Sequence, residues 1–248
     1  MNPLRALIFD VDGTLAETER DGHLPAFNAA FAEHKLGWHW DAALYGRLLE
    51  ITGGKERIRY YAENFAPEVA ARADFAELVK QLHQTKTAHY GALVAQRKLP
   101  LRPGVARLIN EARTAGIRLA IATTTAPENV VALLTASLAP DAVSWFEVIG
   151  AGDIVPAKKP APDIYQWVLA RLGLPAAACL AIEDSKNGLK SALTATLPCL
   201  VTVSEYTQDQ NFSGACAVFA SLEGVALDEL LRQRQRNGER RALLASPD

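Results

Sequence analysis

Near its start the chain carries the stretch Ala6-Leu7-Ile8-Phe9-Asp10-Val11-Asp12-Gly13-Thr14-Leu15, in which an apolar run ends in two acids. The apolar run predicts a buried strand that stops at Asp10. Burying the carboxylates of Asp10 and Asp12 without a partner would cost several kcal/mol each, so the stretch implies a bound cation. Oxygen ligands with no His or Cys beside them suit Mg²⁺ better than Zn²⁺.

The composition sets limits on what the protein can be. With 248 residues, of which 49% are hydrophobic, it can form one large domain or a core with a smaller module. A net charge of −2 provides no overall field for nucleic acid or for an acidic membrane surface. No apolar run is long enough to span a bilayer and no signal peptide is evident. We therefore expect a cytoplasmic protein with no nucleic-acid or membrane partner. We also predict a monomer, although the composition does not determine the oligomeric state.

The positions of Cys and His exclude two other hydrolytic chemistries. A cysteine phosphatase has Arg six positions after its nucleophile, but Ser, Glu and Leu stand six positions after Cys179, Cys199 and Cys216. All five histidines lie within the first 89 residues. A Ser-His-Asp triad or a zinc site built within the later part of the chain is therefore disfavoured.

Residues 18–96 have helical periodicity throughout, which indicates a module inserted after the first strand. One segment within it, Thr52-Gly53-Gly54-Lys55-Glu56-Arg57, places cations at a predicted helix start. Backbone N–H groups, the helix dipole and the two cations could together bind an anion there. A helix–helix turn with solvated charges would give the same pattern, so both interpretations remain open.

From residue 99 to about 219, strands and helices alternate, and polar residues again follow the strands. Thr123 and Thr124 directly follow the strand predicted at 117–122. They could contact a phosphate or cap the next helix, and both interpretations remain open. Lys159 precedes a proline, which holds it in an extended loop. Glu183 and Asp184 follow another strand, and they require a cation for the same reason as the first two acids.

In an open parallel sheet, side chains at the carboxyl ends of the strands meet in one crevice. This set of strand ends, in this order along the chain, resembles the four motifs of the haloacid dehalogenase superfamily. The resemblance implies an α/β fold with a Rossmann-like parallel sheet core and a small all-helical cap. We expect the core to comprise residues 1–17 and 97–248, and the cap to comprise residues 18–96.

The resemblance also implies roles for the motif residues. Asp10 would be the nucleophile that forms an aspartyl-phosphate, and Asp12 would be the general acid and base. Thr123 and Lys159 would bind phosphate oxygens. Mg²⁺ would be held by Asp10, the Asp12 carbonyl and the acidic pair Glu183 and Asp184.

Within the superfamily, the segments around Asp12, Gly53, Thr123 and Lys159 look like those of the CbbY-type proteins, which are sugar-phosphate phosphatases. The implied substrate is xylulose 1,5-bisphosphate or a similar sugar bisphosphate. A β-phosphoglucomutase-like phosphotransferase and a phosphatase of a small monophosphate such as 2-phosphoglycolate are the alternatives. Thr14 favours a phosphatase, because those mutases commonly carry Val there. A non-catalytic sugar-phosphate sensor would not need both Asp10 and Asp12.

We predict that the cap and the hinge beside it contact the substrate. Lys55 and Arg57, at the helix start formed by Gly53 and Gly54, would bind a second phosphate, because Lys159 and Mg²⁺ already serve the reacting one. The remaining predicted substrate contacts are Glu17 and His23 at the hinge, Thr124, and Asn187.

Overall fold

The computed structural model describes residues 3–96 and 99–245, and six parallel strands form its central sheet. The strands are β1 (Ala6–Phe9), β2 (Arg118–Ala122), β3 (Phe146–Gly150), β4 (Cys179–Glu183), β5 (Cys199–Thr202) and β6 (Val218–Phe219). Their order across the sheet is β3-β2-β1-β4-β5-β6, and every neighbouring pair is parallel. The predicted α/β fold with a Rossmann-like parallel sheet is therefore confirmed.

The helices connect and cover these strands. They are α1 (Leu24–Glu33), α2 (Ala42–Leu48), α3 (Gly54–Phe65), α4 (Pro67–Ala70), α5 (Phe75–Ala95), α6 (Val105–Thr114), α7 (Pro127–Ser137), α8 (Asp163–Leu172), α9 (Lys186–Thr194) and α10 (Leu227–Ala245). Their ends follow local sequence signals. Pro127 takes the first position of α7, and Gly173 ends α8 in the left-handed conformation.

Both faces of the sheet are buried, which explains why β1 is apolar at every position. Leu7 and Phe9 point into one apolar layer, which contains residues of α6, α7 and α10. Ala6 and Ile8 point into the opposite layer, which contains residues of α8 and α9. Strands covered on both faces have continuous apolar sequences instead of alternating ones.

All α-helices from α1 to α5 lie between β1 and β2 in the chain, and they have an apolar core of their own. Phe27, Phe31, Trp40 and Tyr45 are its largest buried side chains, and the Trp40 ring lies 4.8 and 4.9 Å from those of Phe31 and Phe27. The division into a core and a cap of residues 18–96 stays a prediction. Residues 97 and 98, at its boundary, lie outside the described residues.

None of the helices described in residues 3–96 and 99–245 is both long and apolar enough to cross a membrane.

Candidate active site

The sheet reverses its strand order around β1, and the polar strand ends meet at that point, as expected for an open parallel sheet. A pocket of about 90 Å³ lies there. The predicted residues that line it are Asp10, Asp12, Gly53, Arg57, Thr123, Thr124, Lys159, Glu183, Asp184 and Asn187. The structure therefore brings together the four strand-end motifs and part of the helical insert.

Lys159 is the central cation of this pocket. Its Nζ donates to Asp10 Oδ1 and Glu183 Oε1, each at 2.6 Å, and to the Ala122 carbonyl at 2.8 Å. Burial lowers the pKa of Lys159, but the two carboxylates outweigh burial and raise the pKa above its usual range. The ammonium therefore stays charged, and all three of its protons are already donated.

Lys159 pairs with two of the three buried carboxylates in this cluster, Asp10 and Glu183, and the third is Asp184. Oxygens of Asp10, Glu183 and Asp184 all lie within 4.8 Å of one another. Burial, and then the neighbouring acids working against Lys159, raise the pKa of Asp10 to about 8. Burial and the negative charges of Asp10 and Glu183 also raise the pKa of Asp184 well above its usual range. One cation does not balance three acids, so the cluster suits a divalent cation.

Two glycines leave room for this cluster. A Cβ on Gly13, which has φ of +78°, would lie 2.1 Å from Asp184 Oδ2, and a Cβ on Gly188 would lie 1.9 Å from Glu183 Oε2. Ser204 donates to Asp184 Oδ2 at 2.7 Å. Because the three ligands are hard oxygens, the donor set fits Mg²⁺, in agreement with the sequence.

Asp12 has the opposite surroundings. Its Oδ1 accepts hydrogen bonds from Thr18 Oγ1 at 2.5 Å and from His23 Nε2 at 2.8 Å. Lys86 Nζ lies 2.7 Å from His23 Nδ1, and because an ammonium only donates, Nδ1 accepts from Lys86 while Nε2–H donates to Asp12. Burial raises the pKa of Asp12, but His23, Thr18 and Lys86 outweigh burial and hold it below its usual range.

Arg57 is the buried cation on the helical side of the pocket. Its Nη1 donates to the Tyr45 hydroxyl at 3.0 Å, and Tyr45 in turn donates to Glu19 Oε2 at 2.5 Å. Its Nε donates to the Leu48 carbonyl at 3.1 Å. These contacts fix the guanidinium at the edge of the pocket, where an anion could approach it.

Two residues predicted to contact the substrate lie elsewhere. Glu17 does not line the pocket, because it pairs with Arg102 Nε at 3.0 Å. Lys55 pairs with Asp153 at 2.5 Å and borders a different cavity. Gly54 borders that cavity too, and with His23 it lines a chamber of about 40 Å³ around Asp12. Glu17 and Lys55 therefore lie outside the pocket at the strand ends, and their contacts with substrate stay a prediction.

The sequence prediction missed Lys86 and Glu19. Lys86 continues a stripe of buried residues on α5 that repeats every four positions: Leu78, Leu82, Lys86, Tyr90 and Val94. A lysine within such an apolar stripe is a detectable signal of a buried, paired cation. Glu19 lies in a short π-helical turn, Glu19–His23, and its position had no distinguishing signal.

Comparison with known proteins agrees with this geometry. Residues 4–196 match the family of haloacid dehalogenase-like hydrolases. The plasmid-encoded protein CbbY of Cupriavidus necator is 52% identical over 219 residues, which are 88% of this chain and 86% of that protein.

Solved structures of CbbY from Rhodobacter sphaeroides are similar as well. One, in complex with phosphate, has a TM-score of 0.84 and 45% identity and covers 92% of this chain and 99% of its own. Another is a D10N mutant in complex with xylulose 1,5-bisphosphate, with the same TM-score and coverage at 44% identity.

Proposed function

This chain belongs to the CbbY family of haloacid dehalogenase-like hydrolases, and from that premise we propose that it is a Mg²⁺-dependent phosphatase of sugar bisphosphates. Xylulose 1,5-bisphosphate, which a solved CbbY structure binds, is the first candidate substrate. The proposal places the substrate between the sheet and the helical insert, which we take to be core and cap domains.

The observation that carries the proposal is the contrast between the two acids of the first motif. The Asp10 carboxylate faces a cation site and Lys159, whereas the Asp12 carboxylate is held by Thr18 and His23. A carboxylate nucleophile needs positive charge nearby, because the carboxylate and the phosphate that it attacks are both negative. A proton-transfer group needs a fixed orientation. Each acid has the surroundings that one of these roles requires.

In the first step an Asp10 oxygen attacks phosphorus, and the bond between phosphorus and the sugar oxygen breaks. Asp12 gives its proton to the departing alkoxide, and the phosphoryl group remains on Asp10. The incoming phosphate brings negative charge near Asp12, which favours the protonated acid that this step needs. Lys159 and Thr123 line the pocket, where they would bind oxygens of the transferred group once Lys159 exchanges one of its present hydrogen bonds for the phosphate.

In the second step water attacks the phosphorus of the aspartyl-phosphate. Asp12, now ionised, accepts the proton of that water, and inorganic phosphate leaves with Asp10 restored. Asp10, the Asp12 carbonyl and Asp184, beside Glu183, would hold Mg²⁺, which would supply positive charge that reduces repulsion between the nucleophile and the phosphate.

Arg57 is the residue that we propose for the second phosphate. It is a guanidinium with rigid, directed donors, which suits phosphate better than a flexible ammonium does. Asn187 also borders the pocket, where it donates to Thr52 Oγ1 of the helical insert at 3.1 Å. Its amide would therefore couple substrate binding to the position of the cap.

The test is a phosphate-release assay across sugar monophosphates and bisphosphates, with Mg²⁺ and with EDTA. We expect Mg²⁺-dependent release, fastest on a bisphosphate. Isomerisation of glucose 1-phosphate to glucose 6-phosphate with little free phosphate would favour the mutase, and fastest release from 2-phosphoglycolate would favour the monophosphatase. Binding without turnover of any substrate would leave only a sensor.

A further inference from the structure

Arg102 is a buried residue between the helical insert and α6, and the proposed mechanism does not use it. Its two Nη atoms donate to four backbone carbonyls, those of Gly13, Thr202 (3.0 Å), Val203 (2.5 Å) and Ala220 (3.1 Å). Its Nε lies 3.0 Å from Oε1 of Glu17. Five oxygens therefore surround a guanidinium that has five N–H donors, and they hold the side chain in one orientation.

The first segment that Arg102 holds is the turn that carries Asp12. The Gly13 carbonyl, which accepts from Nη1, is one peptide after the Asp12 carbonyl. The backbone N–H of Arg102 also donates to the Leu15 carbonyl at 2.8 Å. Within the turn, the Gly13 N–H donates to the Ala16 carbonyl at 2.9 Å. Because each peptide unit is planar, a fixed Gly13 carbonyl limits how far the neighbouring Asp12 carbonyl can rotate.

The second segment is the end of β5, next to Ser204. Arg102 donates to the carbonyls of Thr202 and Val203, the two residues before Ser204. Ser204 is buried, and its hydroxyl donates to Asp184 Oδ2 at 2.7 Å. Arg102 thus fixes the backbone at the point from which Ser204 reaches Asp184.

An arginine suits this position better than a lysine would. Nη1 alone joins the two segments, because it donates to both the Gly13 and the Thr202 carbonyls. A lysine has three donors on a single atom, which are too few for five oxygens. Glu17 balances the charge of the guanidinium, so the contribution of Arg102 to the site is one of position.

Arg107, on α6, provides a matched contrast. It donates to the carbonyls of Leu222, at 3.0 Å, and Val225, at 2.8 Å, and it pairs with Glu111 at 2.5 Å. These residues neither line the catalytic pocket nor stand next to a residue that lines it. The two arginines make the same kinds of contact, but those of Arg102 adjoin the site.

We propose, on the basis of the phosphatase function above, that Arg102 is a positioning residue that holds the Asp12 carbonyl and Asp184 at the separation that Mg²⁺ requires. Mg²⁺ demands near-ideal octahedral geometry, so a shift of either ligand weakens its binding. Groups that orient metal ligands commonly affect metal affinity although they do not touch the metal. Arg102 acts in this way through the backbone on one side and through Ser204 on the other.

The test measures Mg²⁺ binding by calorimetry, on protein shown by circular dichroism to be folded. Arg102→Lys keeps the positive charge but not the five donors, and Ser204→Ala removes the hydroxyl that reaches Asp184. Each should weaken Mg²⁺ binding about tenfold, the usual scale for losing a group that orients a metal ligand. The Mg²⁺ concentration that gives half-maximal phosphate release should rise by the same factor. Arg107→Lys should leave both quantities unchanged, even if it lowers stability.

The possible outcomes separate the two proposals. No Mg²⁺ binding by the wild-type protein contradicts the proposed function. Wild-type binding that Arg102→Lys retains in full contradicts the role of Arg102. Equal weakening in Arg107→Lys also contradicts that role, because a general loss of stability would then explain both variants. If Arg102→Lys does not fold, Ser204→Ala still decides, since full Mg²⁺ binding by that variant would contradict the proposed route to Asp184.

Discussion

Asp10 and Asp12 are two residues apart, yet they belong to regions of opposite electrostatic character. We call Asp10, Lys159, Glu183 and Asp184 the Asp10 side, where three buried acids cluster and one lysine pairs with two of them. The Asp12 side comprises Asp12 with Thr18, His23 and Lys86, where one acid is surrounded by donors. The pKa of Asp10 is raised and that of Asp12 is lowered.

This difference indicates that the sheet and the helices contribute different chemical groups to the site. Strand ends and the loop that carries Lys159 provide the Asp10 side, where one lysine faces three acids, so the acids are in excess and suit a metal ion. The hinge and α5 provide most of the Asp12 side, whose cation and donors come with the chain itself. Paired acids whose pKa values are pushed apart are the usual sign of separate chemical roles.

The largest effect is expected from Asp10→Asn. Without a nucleophile, phosphate release should fall at least about 10³-fold, or about 4 kcal/mol in the barrier. The amide keeps an oxygen that can accept from Lys159, so the variant should fold, which circular dichroism can check. Retention of more than about a tenth of the activity would show that Asp10 is not the nucleophile.

The next effect is on stability, again on the Asp10 side. Lys159→Met would leave Glu183 fully buried without its cation, at a cost of about 3–5 kcal/mol in the free energy of unfolding. Urea unfolding in EDTA measures this cost. Lys186→Met is the matched control, because its ion pair with Glu50 is exposed and worth less than about 1 kcal/mol. Equal losses in the two variants would mean that Lys159 does not balance the buried acids.

A comparison of Arg57→Ala and Lys55→Ala tests which cation of the helical insert binds the second phosphate. Arg57→Ala should raise the barrier for a sugar bisphosphate by about 2–4 kcal/mol, the scale for removing a charged partner. Lys55→Ala should cost less than about 1 kcal/mol, because Lys55 is partly exposed and pairs with Asp153. Both variants are assayed on the bisphosphate and on p-nitrophenyl phosphate. If Arg57→Ala lost equal activity on both substrates, Arg57 would maintain the fold of the insert instead of binding the second phosphate.

Lys86→Met should have a smaller catalytic effect than Asp10→Asn or Arg57→Ala, about tenfold in kcat, or about 1.4 kcal/mol. Burial lowers the pKa of Lys86 to about 8, so its charge is present below that pH and is lost as the pH rises through it. Wild-type kcat should therefore decline above about pH 8, and the variant should lack that decline. Lys80→Met, on the exposed side of the same helix, serves as the control. If the decline in kcat persists unchanged in Lys86→Met, a group other than Lys86 causes it.

The sequence was sufficient where local chemistry determines position. The acids and Thr123 follow buried strands, and Lys159 directly precedes a proline, so their meeting at the sheet edge could be predicted from Asp10, Thr123, Lys159 and Glu183. Contacts between distant segments could not be predicted from the sequence. Arg102, which pairs with Glu17, and Asp153, which pairs with Lys55, lie 85 and 98 residues from their partners. Nothing in the local sequence reveals such a pairing.

The central claim is that the phosphoryl group passes through Asp10 while Asp12 handles protons, and an Asp12→Ala variant tests it directly. p-Nitrophenol leaves without a proton, so this variant should still form the aspartyl-phosphate from p-nitrophenyl phosphate but hydrolyse it slowly. The reaction is quenched in acid, and mass spectrometry locates the phosphoryl group. We expect one phosphoryl group on Asp10, and none in the Asp10→Asn, Asp12→Ala double variant. A phosphoryl group on any other residue, or release of p-nitrophenol with no phosphorylated protein at any time, would contradict the account.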